Sequence, residues 1–133
     1  MIENELGIQE LTGISALMVH AAKIDEEYTE NEKILILKFL ENFSQDKEKN
    51  KKILSDAIEL EKNSNQLLNF TNIVKKISLE KKKIIVKGLW KIILSDSKTD
   101  AFESSLMRRI SGLIYLPDKI NGEIKLQVIQ ENK

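Results

Sequence analysis

Apolar residues recur every three or four positions along almost the whole chain, and that spacing leaves little room for anything but helices. Leu11, Ile14, Leu17, Met18, Ala21 and Ile24 form the first series, and Leu35, Ile36, Phe39, Leu40 and Phe43 the second. Three more run through Ile53, Leu54, Ala57 and Ile58; through Leu67, Phe70, Val74 and Ile77; and through Ile84, Ile85, Leu89, Ile92 and Ile93. Phe102, Leu106, Ile110, Leu113 and Ile114, then Ile120, Ile124 and Val128, complete seven. No segment alternates apolar and polar residues as a half-buried strand would, and the one Asn-Gly pair, Asn121-Gly122, falls inside a helical series. The expectation is an all-α fold of about seven helices, with residues 1–133 forming a single domain. A chain of 133 residues buries about two thirds of its unfolded surface and needs no cross-links to do so.

Caps and breakers divide these series. Thr29-x-x-Glu32 and Asp100-x-x-Glu103 are capping boxes ahead of apolar runs, and Pro117-Asp118 marks a stop and a restart. The polar stretches Ser44 to Lys52 and Lys62 to Asn65 are expected as loops. The five glycines lie within helical patterns, where close helix packing accounts for them.

Composition removes several functions. There is no cysteine, hence no disulfide framework, thiolate zinc site or thiol nucleophile. Lysine plus arginine and aspartate plus glutamate number 21 each, which argues against a surface built throughout for nucleic acid. No run free of Asp, Glu, Lys and Arg is longer than Leu11 to Ala22, which is shorter than a membrane span, and the acidic start Met1-Ile2-Glu3-Asn4-Glu5 is unlike a secretory signal, so a cytoplasmic location is expected. The glycines form no phosphate loop, and no serine sits in a nucleophile elbow.

Two segments echo one another 71 positions apart: Asp25-x3-Thr29-x2-Glu32 followed by Leu35, and Asp96-x3-Asp100-x2-Glu103 followed by Leu106. Thr29 and Asp100 as N-caps, with Glu32 and Glu103 at the third helical position, satisfy free backbone N–H groups and need no ligand. Asp25 and Asp96 are less easily explained that way, because a carboxylate where a helix ends opposes the helix dipole. An Asx turn would compensate, and so would a divalent cation held by carboxylate and carbonyl oxygens. The spacing is not that of an EF-hand loop, which alternates acids around a central glycine.

The run from Ala22 through Asp25-Glu26-Glu27-Tyr28-Thr29 to Leu35, and the run from Leu89-Trp90 through Ser95-Asp96-Ser97-Lys98-Thr99-Asp100 to Ile110, resemble the two signature segments of the tellurite-resistance TerB-like family. The ending Leu113-Ile114-Tyr115-Leu116-Pro117-Asp118 is similar to that family's ending. The resemblance implies an all-helical domain of two similar halves, whose acidic clusters are associated with a divalent metal such as calcium. It also implies protein partners, including membrane-associated stress complexes. The family's helix-ending Asp falls on Asp25 and Asp96, its cap on Thr29 and Asp100, and its trailing Glu on Glu32 and Glu103. Departures are Glu26 and Ser97 where glycine is common, and Thr29 where an acid is usual, which leaves the second cluster the fuller ligand set. Candidate metal ligands are therefore Asp25, Glu32, Asp96, Asp100 and Glu103. The expected function is that of a non-enzymatic interaction or scaffold module in a stress response, with no nucleic-acid partner.

Two other features carry alternatives. His20, the sole histidine, lacks the second histidine or cysteine of a transition-metal site and reads as a partly buried or surface helix residue. Lys75, Lys76, Lys81, Lys82, Lys83, Lys87 and Lys91 form a basic stretch that could bind nucleic acid or an anionic membrane. As a solvated helix face, it would leave Trp90 to pack in the core.

Overall fold

The computed structural model describes residues 6–23, 30–64, 67–94 and 101–131, with the side chains of 101–104 excepted. Seven helices lie among them: α1 (Ile8–Ala22), α2 (Glu30–Leu40), α3 (Lys47–Lys62), α4 (Leu68–Lys75), α5 (Leu79–Ile93), α6 (Ala101–Leu113) and α7 (Asp118–Glu131). No strand occurs among the described residues.

Local chemistry sets several of these boundaries. Asp46 caps α3 by accepting the Lys49 N–H at 3.1 Å, and Ser78 caps α5 by accepting the Lys81 N–H at 3.4 Å. The Asp46 cap shortens the loop expected over Ser44 to Lys52 to residues 44–46. The polar run after it is the exposed face of α3's first turns, with one inward residue, Asn50, whose amide donates to the Ser44 carbonyl at 2.9 Å. The Ser78 cap likewise splits the basic stretch between two helices, since α4 ends at Lys75 and α5 begins at Leu79. The break at Pro117 stands where expected, with α7 starting at Asp118. The capping roles of Thr29 and Asp100 fall outside the described residues.

At the end of α6 the chain closes in a Schellman motif: the Leu116 N–H donates to the Ser111 carbonyl at 2.8 Å and the Tyr115 N–H to that of Gly112 at 3.3 Å. The left-handed position is filled by Tyr115, at φ 63°, where glycine is the unstrained choice. Leu116, by contrast, is buried.

One contiguous apolar cluster joins all seven helices. Its centre is α1, whose residues from Gly13 to Val19 are all buried because α3, α4, α5 and α2 pack around it. Ile14, Leu17, Ile36, Leu40, Ile85, Leu89, Ile92 and Ile110 are essentially solvent-free, each stabilising the fold by about 1.5–3 kcal/mol. Ile84 departs from the expected pairing with Ile85: it is 38% exposed. Close packing explains two glycines. A Cβ on Gly88 would lie 2.8 Å from Met18 Cε and 3.1 Å from Phe39 Cδ1, and one on Gly13 would collide with Ile73 Cδ1. Gly112 and Gly122 face open space and Gly7 is the N-cap of α1, so helix packing does not account for those three. No helix among the described residues is long and apolar enough to cross a membrane.

The order of elements repeats. Ile8 and Leu79, Glu30 and Ala101, Lys47 and Asp118 each open a helix 71 positions apart. Within each set of three, the first and second helices pack against the third: α1 and α2 on α3, α5 and α6 on α7.

Candidate acidic connections, ion-pair clamp and groove

Two of the acidic residues singled out in the sequence, Glu32 and Glu103, sit at corresponding places in this arrangement. Glu32 is the third residue of α2, and Glu103 is the third of α6. Carboxylates so placed favour the positive helix end. Glu32 is buried, at 6% exposure. Asp25, Asp96 and Asp100 lie outside the described residues, on the connections from α1 to α2 and from α5 to α6, and Glu103 is described in its backbone alone. Among the described residues no group of three or more His, Asp or Glu side chains could hold a metal ion.

What the described residues do show is how the C-terminal end of α1 is held to α3. His20 and Lys23, at the C-terminal end of α1, both reach Glu61 in the last turn of α3: His20 Nδ1 lies 3.2 Å from one carboxylate oxygen, and Lys23 Nζ donates to the other at 2.7 Å. The Glu61 side chain is only 10% exposed, against 38% for His20 and 40% for Lys23. A carboxylate this deep needs hydrogen-bonding partners, which His20 and Lys23 supply, and the Lys23 ammonium at a helix C-terminus also suits the dipole there. His20 is thus half-buried and engaged structurally, as expected of a lone histidine. Glu61 had no signal in the sequence, since its partners stand 41 and 38 residues away.

The lysines of the basic stretch are dispersed rather than massed. Lys82 is buried. Lys83 lies 3.9 Å from Glu80, and Lys87 donates to Glu131 at 2.9 Å. Lys75 stands over the Tyr115 ring at 5.5 Å and Lys81 over Phe43 at 5.6 Å. Trp90, 3% exposed, belongs to the core as expected; its indole N–H donates to Asn121 Oδ1 at 2.9 Å, and Lys125 lies over its ring.

Lys87 and Lys91 also edge an open groove of about 1010 Å³ between α2 and α5. Leu35, Phe39, Ile84 and Leu94 supply its apolar lining, and Lys38 lines it from α2. Glu131, from the last turn of α7, enters it; the hydrogen bond from Lys87 chiefly holds that carboxyl below its ordinary range, burial acting the other way and the charges of Lys87 and Lys91 adding to the lowering.

Seven helices on one core define an all-α domain. The family model for tellurite resistance protein TerB matches residues 12–126. The chain belongs to the TerB family. No curated protein and no solved structure matches it.

Proposed function

We propose that this chain is a non-enzymatic, cytoplasmic interaction module of a stress-response assembly, whose partner-facing surface is set by divalent cations at the two acidic connections. The observation that supports the reading most is the matched placement of Glu32 and Glu103, third in α2 and α6 and 71 positions apart, each just after an acid-bearing connection. Helix ends of this kind are where a bound cation can order a connection and change the adjoining surface.

The donor set fits a hard cation. Asp25 and Glu32 on one side, and Asp96, Asp100 and Glu103 on the other, offer carboxylate oxygens suited to calcium or magnesium. The chain has no cysteine, and its single histidine is committed to Glu61, so the soft or imidazole ligands of zinc and copper are missing from the set. A cation there would supply charge neutralisation and order; Glu32 and Glu103 would hold it from the helix side.

Isothermal titration with calcium, magnesium and manganese tests the proposal. Binding is expected to weaken at least tenfold in Asp96→Asn/Asp100→Asn and less in Asp25→Asn. No heat at millimolar metal, or heat unchanged by these substitutions, would leave the acids as helix caps alone.

A further inference from the structure

The acids of this neutral chain are distributed unevenly. None occurs from Lys62 to Leu79 or from Ser104 to Pro117. The fold brings these two segments together, because α4 and α6 pack against each other and Lys75 lies over the Tyr115 ring at 5.5 Å. On α6, Ser105, Arg108, Arg109 and Gly112 are exposed and share an arc of roughly 100°. On α4, Leu68 is 46% exposed, and Lys76 at the helix end is exposed as well. Both arginines of the chain are on this exposed arc of α6. Beyond Pro117 the next charges, Asp118 and Lys119, cancel.

Tyr115 adds an independent observation. It is 70% exposed and holds a left-handed backbone that glycine would adopt without strain. Its side chain adds little to the core; within the chain the ring meets Lys75, so aromatic and cation stand together at the edge of α4 and α6.

We propose that the α4–α6 face docks on an anionic lipid surface. Lys75, Lys76, Arg108 and Arg109 would lie against the headgroups, with Tyr115 and Leu68 entering the interfacial layer. Basic residues with an amphipathic aromatic and an exposed aliphatic side chain are the composition such a layer takes. A nucleic-acid strand is favoured less, because it stacks on successive aromatics and this face has one. The groove between α2 and α5 is a different surface, and the proposal does not depend on the cation reading.

Flotation with phosphatidylcholine vesicles, with and without about one third phosphatidylserine, tests it at low salt, where each basic side chain contributes about fivefold to partitioning. The full chain is expected to float with the anionic vesicles alone and to be released by salt. Arg108→Glu/Arg109→Glu should weaken partitioning by roughly thirtyfold or more, while the matched change Lys51→Glu/Lys52→Glu on the exposed start of α3 should leave most of it. Tyr115→Gly should weaken binding several-fold with unchanged helical content, which separates the ring's contact from folding. Absence of wild-type binding, equal losses in both charge-reversed pairs, or binding to oligothymidylate with none to vesicles would overturn the proposal.

Discussion

The clamp on Glu61 predicts an asymmetry between its two halves. Lys23→Met and Glu61→Gln both cut the 2.7 Å contact, but they leave different things behind. Glu61→Gln removes the buried charge, keeps an amide that can hydrogen-bond, and frees two bases that are 38% and 40% exposed and can turn to water; about 1 kcal/mol is the expected cost. Lys23→Met strands a carboxylate that is 10% exposed with His20 alone, costing about 2–3 kcal/mol, below the full range for an uncompensated buried charge. The double variant should then be more stable than Lys23→Met by about 1 kcal/mol, because the second substitution removes the stranded charge. Trp90, the sole tryptophan and 3% exposed, reports unfolding by its emission. For a chain of this length 1 kcal/mol corresponds to a midpoint shift of about 3–4 °C. If Glu61→Gln costs as much as Lys23→Met, or the double variant shows no recovery, burial of the carboxylate does not govern the clamp.

Two further outcomes follow from the same structure. Gly122 in α7 faces open space, so Gly122→Ala should raise stability by about 1 kcal/mol through helix propensity, whereas Gly88→Leu, driven into Met18 and Phe39, should lower it by about 1–3 kcal/mol; urea midpoints read at Trp90 distinguish them. Glu131 is held below the ordinary carboxylate range chiefly by the Lys87 hydrogen bond, with the Lys87 and Lys91 charges assisting against an opposing effect of burial. Its stabilising contribution is therefore complete above the unfolded carboxylate range and lost as pH falls through the lowered native value. Carboxyl-carbon NMR titration should find Glu131 returning toward its ordinary range in Lys87→Met, and an unmoved midpoint would contradict the pairing.

The helices were legible because a buried face repeats every three or four residues whatever the tertiary context, and Leu11 to Ala21 or Phe70 to Val74 carry that pattern openly. Ser44 to Lys52 was misread because Lys47-Glu48-Lys49 has no apolar period. The exposed start of a helix and a loop look alike there, and only the Asp46 cap separates them. Ile84 reads with Ile85 because both are apolar, yet the buried arc of α5 extends from Ile85 toward Val86, Leu89 and Trp90, and Ile84 stands about 100° to the other side of Ile85. Glu61 was illegible for a different reason: its meaning lies in His20 and Lys23 at the end of another helix, and no spacing within α3 encodes that pairing.

Charge shows why a residue count could not locate the working surfaces. Equal totals of 21 are compatible with every cation being paired or with none being so, and the fold decides which. Lys23 and Lys87 are tied to Glu61 and Glu131, and Lys81 and Lys125 lie over Phe43 and Trp90; these hold elements of the domain to one another. A basic stretch spread over neighbouring positions in sequence is thereby dispersed in space. The α4–α6 face results from the opposite process, in which two acid-free segments separated by the whole of α5 are brought into contact. Which cations stand near acids is thus a property of which helices touch, and α4 with α6 joins two segments that carry none.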